Sequence, residues 1–116
     1  MKKILLIDDD ESIHFLYREE LEAEGYKVHS ALTGKDALKK LKIVSPDLVI
    51  LDINMPGMNG IDVLRRIKEI SPKTPVILSS EYSEYKQDIG AWTSDDYIVK
   101  SADLEDLKAA VHEYLS

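Results

Sequence analysis

The chain has 116 residues, the size of one ordinary domain, which is enough to bury a core without covalent cross-links. It has no cysteine, so disulfides and cysteine-based zinc sites are excluded. Its 22 acidic and 15 basic residues give a formal charge of −7, which disfavours nucleic-acid binding. The apolar run at residues 4–7 is too short for a signal peptide or a membrane span, so we expect a cytoplasmic protein with no membrane contact.

The first elements alternate a short apolar run with a stretch of helical period. Residues 4–7 form a continuous apolar run, as is typical of a strand buried on both faces. A helix is predicted over residues 12–24, with Ser12 as its N-cap and Gly25 as its stop. Residues 28–31 are shorter and mixed with polar residues, which favours an edge strand. Phe15 is predicted to point away from the inward face of the helix, which carries Ile13, Leu16, Tyr17 and Leu21.

The rest of the chain repeats this alternation. The remaining predicted elements, in chain order, are a helix opening at Thr33-Gly34, a strand over residues 48–51, a helix after Gly60, a strand over 76–78, a short helix over 85–92, a strand over 97–99 and a helix capped by Asp103.

Five β-α units in a row predict right-handed crossovers and a parallel sheet covered by helices on both faces. The fold class that fits is the flavodoxin-like doubly wound (βα)5 sandwich of three layers, with strand order 2-1-3-4-5. There is no internal repeat and no linker composition, so residues 1–116 are predicted to form a single domain.

Polar side chains gather where the predicted strands end. Ligands in open α/β sheets bind outside the carboxyl ends of the strands, so these side chains are expected to converge. Each of them alone is typical of a turn, a helix cap or a solvated surface, and Asp10 fits such a cap. At the ends of four different strands, however, they indicate one site, formed by Asp8, Asp9, Asp10, Asp52, Ser79, Ser80 and Lys100.

Carboxylates crowded together repel one another unless a cation lies among them. Mg²⁺ suits such a pocket, because it prefers oxygen ligands and needs only one or two direct carboxylates. With Lys100 on the other side of the pocket, the Asp52 carboxylate is predicted to be ionised and able to attack phosphorus. Zinc and redox metals are not supported, since no His or Cys lies at the strand ends, and nucleotide binding is disfavoured by the lack of a glycine-rich phosphate loop.

Four segments make the chain similar to the receiver domains of bacterial two-component response regulators. The resemblance covers the whole chain, and it implies one receiver domain over residues 1–116. The segments are ILLIDD at residues 4–9, LDINMPGMNG at 51–60, which follows the family pattern D-x-x-M-P-x-M-x-G, PVILSS at 75–80 and DDYIVK at 95–100.

The resemblance implies a Mg²⁺-dependent transfer of a phosphoryl group from a phosphohistidine. Asp52 matches the family's phosphoacceptor and is also expected to be a Mg²⁺ ligand. Asp9 matches a direct Mg²⁺ ligand and Asp8 a ligand through water. The backbone carbonyl of Asn54 is expected to complete the protein's share of the coordination.

The same resemblance implies a conformational switch. Ser80 matches the hydroxyl that closes on the phosphoryl group, and Lys100 is expected to pair with the phosphoryl oxygens. Tyr97 matches the aromatic side chain that turns inward when Ser80 moves. The implied partners are a sensor histidine kinase or histidine phosphotransfer protein, and either a downstream protein target or a separate effector domain.

The chain departs from the family pattern at three places. Ser101 follows Lys100 where the family usually has proline, and Glu81 stands where it prefers a very small residue. Seventeen positions separate Ser80 from Tyr97, which is about two fewer than the family pattern has, so the intervening helix is expected to be short or irregular.

Four functions therefore remain open at this point. The chain could be a stand-alone receiver, which the lack of a trailing linker favours, or a receiver cut from a longer protein. It could be a metal-dependent phosphohydrolase, although it has no residues to spare for a substrate cap. Ser101 and Glu81 also leave open a degenerate receiver that takes no phosphate, but the other matching residues argue against it.

Overall fold

A computed structural model describes residues 1–55, 58–80, 96–99 and 104–115. Its centre is a sheet of five parallel strands in the order β2-β1-β3-β4-β5, which confirms the predicted flavodoxin-like topology. The strands are β1 (Lys3–Ile7), β2 (Lys27–Ala31), β3 (Leu48–Asp52), β4 (Val76–Ser80) and β5 (Asp96–Val99). A separate antiparallel pair joins Asn54–Met55 to Met58–Asn59.

Helices cover the two faces of this sheet. They are α1 (Glu11–Ala23), α2 (Gly34–Val44), α3 (Gly60–Ile70) and α4 (Glu105–Leu115). The predicted helix over residues 85–92 and the predicted cap Asp103 lie outside the described residues. Among the described helices, none combines the length and apolar character that a membrane crossing needs.

The core forms two clusters, one on each face of the sheet. On the first face, α2 and α3 contribute Ala37, Leu41, Val63, Leu64 and Ile67. On the second face, α1 and α4 contribute Tyr17, Leu21, Leu107, Val111 and Leu115. Strands β1, β3 and β4 are buried on both faces, which is why they read as continuous apolar runs in the sequence.

Helix α1 begins earlier than predicted. Its N-cap is Asp10, and the Ser12 backbone N–H donates to the Asp10 carboxylate at 2.9 Å, so the prediction of Ser12 as the cap is wrong. Asp10 was predicted either to belong to the polar site or to cap the helix, and the structure shows it as the cap. Gly25, with a φ of +97°, follows the helix end as predicted, and Thr33 caps α2 as predicted.

The inward face of α1 also differs from the prediction. Its buried residues are His14, Tyr17 and Leu21, whereas Leu16 is 40% exposed. Phe15 is 74% exposed, which confirms that it points away from the core.

Strand β2 lies at the edge of the sheet, as predicted, and several polar and charged side chains lie along it. The Lys40 ammonium donates to the Ser30 carbonyl oxygen, and the Arg18 guanidinium donates to the Ser30 hydroxyl at 2.8 Å. Partial burial and the nearby charge of Lys27 lower the pKa of His29 below its ordinary value of 6.5.

Candidate metal centre

Three carboxylates meet at the carboxyl ends of β1 and β3. Asp52 is the last residue of β3, and Asp8 and Asp9 directly follow β1. The two strands pair in parallel with Ile7 opposite Leu51, so their ends lie side by side. One oxygen of each carboxylate lies within 4.8 Å of the others. Asp8 and Asp52 are buried and Asp9 is exposed, so the cluster has a closed floor and an open side.

The turn between β1 and α1 is held by several hydrogen bonds. The Asp8 backbone N–H donates to the Ala31 carbonyl at 3.1 Å, which ties the turn to β2. The Asp10 N–H donates to the Asp8 carboxylate at 3.0 Å. The His14 ring nitrogen Nε2 lies 2.6 Å from the Asp8 carbonyl oxygen. The backbone and side chain of Asp8 are therefore both held in place.

The segment that follows Asp52 is anchored at both of its ends. The Ile53 N–H donates to the Ser79 carbonyl at 3.2 Å, and the Gly60 N–H donates to the Ile53 carbonyl at 3.3 Å. A Cβ at Gly60 would lie 2.3 Å from the Ile53 Cα atom, so any other residue here would force the backbone to move. Asn54, whose carbonyl is the expected metal ligand, pairs through its backbone with Asn59.

The two serines end β4 next to the carboxylates. Ser79 is opposite Asp52 in the register of β3 and β4, and both Ser79 and Ser80 are buried. Tyr97 lies on β5, where its backbone is opposite Leu78. The side chain of Tyr97 and the whole of Lys100 lie outside the described residues, so their predicted roles stay predictions.

The carboxylate cluster fits a small divalent cation. Mg²⁺ binds oxygen at about 2.1 Å, so two ligands on opposite sides of the ion are about 4.2 Å apart. The separation of up to 4.8 Å between the carboxylate oxygens is close to this span. A small inward movement of the carboxylates would bring their oxygens to this span. Alternatively, one carboxylate would bind the ion through a water molecule. Such an ion would also offset the repulsion between the three negative charges.

Two features of the site do not follow from the sequence pattern. The pattern leaves His14 off the inward face of α1, although its ring contacts the Asp8 backbone. The sequence pattern shows Gly60 only as the start of a helix and as part of a motif. In the structure, the Gly60 backbone also lies very close to the Ile53 backbone. One signal in the sequence could have pointed to the contact between His14 and Asp8. It is a histidine in the first turn of a helix that directly follows an aspartate cluster.

The sequence profile of the response regulator receiver domain matches residues 4–112. The chain belongs to this family. The receiver is 36% identical over 119 residues to sporulation initiation phosphotransferase F of Bacillus subtilis, covering 98% of this chain and 94% of that protein. It is 35% identical over 116 residues to the B. subtilis alkaline phosphatase synthesis transcriptional regulatory protein PhoP, covering 98% of this chain but 48% of that protein. The receiver thus spans nearly all of one relative and about half of the other.

Solved structures agree with this assignment. The receiver resembles the response regulator TrrA of Thermotoga maritima in complex with Mg²⁺-BeF, with a TM-score of 0.93 and 43% identity over 99% of this chain and 100% of that chain. It also resembles TrrA in its complex with the histidine kinase ThkA, with a TM-score of 0.91 and 43% identity over the full length of both chains. The receiver is thus a signalling-switch domain of two-component systems.

Proposed function

We propose that the receiver takes a phosphoryl group from a phosphohistidine onto Asp52 in a Mg²⁺-dependent reaction, and that residues 1–116 form one phosphoacceptor domain. The observation that carries this proposal is the placement of the Asp52 carboxylate at the end of β3, within 4.8 Å of Asp8 and Asp9. The complex of TrrA with Mg²⁺-BeF supports it, because TrrA is 43% identical to this chain.

In this proposal an Asp52 oxygen attacks the phosphorus atom in line with the phosphorus–nitrogen bond. That bond breaks, a phosphorus–oxygen bond forms, and the histidine nitrogen takes up a proton as it leaves. Phosphoryl transfer of this kind depends mainly on positioning and on charge neutralisation. Asp9 and Asp52 would hold Mg²⁺ directly, Asp8 would hold it through water, and the Asn54 carbonyl would be a further ligand. The bound ion would supply positive charge to the phosphoryl oxygens. Hydrolysis of the acyl phosphate by water would reset the switch.

The switch itself is proposed to involve the ends of β4 and β5. The Ser80 hydroxyl, which is buried at the end of β4, would move to a phosphoryl oxygen. Lys100 would pair with another phosphoryl oxygen, and Tyr97 would turn inward into the space that Ser80 leaves. This movement would carry the signal from the site to the surface.

The proposed donor is a sensor histidine kinase or a histidine phosphotransfer protein in the cytoplasm. The complex of TrrA with the kinase ThkA supports this choice. The proposed output is either a separate protein target or an effector domain. The first alternative fits the relative that the chain spans almost entirely, and the second fits the transcriptional regulator of which it spans 48%.

The deciding experiment incubates the protein with acetyl phosphate and Mg²⁺ and measures the intact mass. The wild type should gain one phosphoryl group, and the gain should disappear when EDTA is added. Asp52→Asn keeps the side-chain volume but removes the nucleophile, so this variant should fold and gain no phosphoryl group. A wild type that gains none, or an Asp52→Asn variant that is still labelled fully, would contradict the proposal.

A further inference from the structure

His14 is a buried polar side chain on the inward face of α1. Its side chain is 7% exposed, and its ring nitrogen Nε2 lies 2.6 Å from the backbone carbonyl oxygen of Asp8. The other ring nitrogen, Nδ1, is buried with no hydrogen-bond partner among the described residues. One nitrogen of the ring therefore contacts the backbone of Asp8, and the other has no hydrogen-bond partner in the described part of the chain.

This arrangement fixes the role of each nitrogen. A carbonyl oxygen accepts a hydrogen bond, so Nε2 must carry the hydrogen and donate it to Asp8. In the neutral ring Nδ1 is then an acceptor, and a buried acceptor without a donor opposes folding. An apolar side chain of similar size would avoid this unfavourable burial. Unlike such an apolar side chain, however, histidine donates a hydrogen bond to the Asp8 carbonyl.

The reach of His14 back to Asp8 follows from helix geometry. Side chains in an α-helix lean toward the N-terminus, and His14 is the fourth residue of α1. Its ring therefore returns to the turn that precedes the helix and contacts a residue six positions earlier. The Asp8 N–H donates to the Ala31 carbonyl, and the Asp8 carboxylate accepts from the Asp10 N–H. His14 adds a hydrogen bond to the third polar group of Asp8, its backbone carbonyl.

We infer that His14 is a positioning residue of the metal centre. By holding the Asp8 carbonyl it fixes the turn through Asp8, Asp9 and Asp10, and this turn aims the Asp8 and Asp9 carboxylates at the cation. Mg²⁺ demands nearly ideal octahedral geometry, so a turn that rotates freely would bind it more weakly. This inference rests on the proposed function, since it names a residue that prepares the same site.

Three variants separate positioning from simple packing. His14→Gln keeps an N–H donor near the place of Nε2, whereas His14→Leu fills the space without a donor. Leu21→Ala is the matched control, because Leu21 is fully buried two turns further along the same helix face and lies away from the turn. Isothermal titration of Mg²⁺ into each metal-free protein should give a Kd at least fivefold higher for His14→Leu. The Kd should stay within twofold of the wild type for His14→Gln and Leu21→Ala.

A second readout needs no metal. Long-range ¹H–¹⁵N spectra of the metal-free wild type should show the His14 hydrogen on Nε2. Hydrogen exchange at the Asp10 amide should be faster in His14→Leu than in His14→Gln or Leu21→Ala. If His14→Leu does not fold, His14→Asn replaces it, because its shorter amide cannot reach the Asp8 carbonyl.

The outcomes distinguish this inference from the proposed function. If the wild type binds Mg²⁺ and His14→Leu binds it equally well, the positioning role is refuted while the proposed function stands. The same holds if Leu21→Ala weakens binding as much as His14→Leu does, or if the hydrogen is found on Nδ1. If the wild type binds no Mg²⁺, both the metal site of the proposed function and the role of His14 in it are refuted.

Discussion

Replacing Gly60 with alanine is expected to disturb the segment that follows Asp52. The added Cβ would lie 2.3 Å from the Ile53 Cα, 2.7 Å from its carbonyl oxygen and 2.8 Å from its carbonyl carbon. Carbon atoms in contact normally stay about 3.5 Å apart, so Ile53 or the start of α3 must move by roughly 1 Å. All three contacts are with backbone atoms, so no rotation of a side chain can relieve them.

The expected loss in the free energy of unfolding combines three terms. Overpacking of this kind costs about 1–3 kcal/mol. Displacement of Ile53 also weakens the hydrogen bond from the Gly60 N–H to the Ile53 carbonyl, which is 3.3 Å long and worth about 1 kcal/mol. Alanine has a better helix propensity than glycine, which offsets up to about 1 kcal/mol of this loss. The net expectation is a destabilisation of about 2 kcal/mol.

The same movement should weaken Mg²⁺ binding about tenfold or more, because Ile53 lies between Asp52 and Asn54 and Mg²⁺ tolerates little distortion. Urea unfolding followed by circular dichroism measures the stability, and calorimetric titration measures the affinity. Gly25→Ala is the control, since its φ of +97° strains alanine by about 1–2 kcal/mol, whereas the space around its Cβ is open. A Gly60→Ala protein with wild-type stability would refute the close contact. A destabilised one with wild-type Mg²⁺ affinity would refute the link to the site.

Three further perturbations test the site, the surface and the pH dependence. Asp9→Ala should weaken Mg²⁺ binding about tenfold or more in the same titration, and an unchanged Kd would contradict its assignment as a ligand. Phe15→Ala should slow phosphotransfer from the cognate kinase about tenfold, because the exposed ring is a natural anchor for a partner, while labelling by acetyl phosphate should not change. His29 has a lowered pKa, so the folded state binds its proton less readily and stability should fall as the pH drops below 6.5. His29→Gln should reduce the loss in unfolding free energy between about pH 7.5 and about pH 5, and an equal loss in both proteins would exclude His29 as its source.

The sheet and its acidic edge can be predicted from local sequence. Strands β1, β3 and β4 are buried on both faces, so each is an uninterrupted apolar run, and the residue at which each run ends is visible directly. The alternation of strands and helices then predicts a parallel sheet, and the order 2-1-3-4-5 is one of the two common orders for such a sheet. The amino-acid sequence alone therefore places Asp8 and Asp52 at the same edge of the sheet.

The details of α1 cannot be predicted in the same way. A hydrophobic pattern treats histidine as polar, whereas His14 is buried because the folded turn brings the Asp8 carbonyl to its ring. Asp10 and Ser12 are both good N-caps, and the choice between them depends on where the turn leaves β1. The closeness of Gly60 to Ile53 likewise arises only when the segment between them folds back.

The side chains along β2 affect how copies of this protein meet one another. The outer strand of a sheet is a template on which another chain can add a strand. Here the Ser30 carbonyl already accepts from the Lys40 ammonium, and Lys3, Arg18 and Lys27 add positive charge nearby. Two copies that approached through their β2 edges would first have to displace Lys40 from the Ser30 carbonyl and Glu22 from the Val28 N–H. Crowding of the protein therefore does not favour edge-to-edge sheet growth through β2.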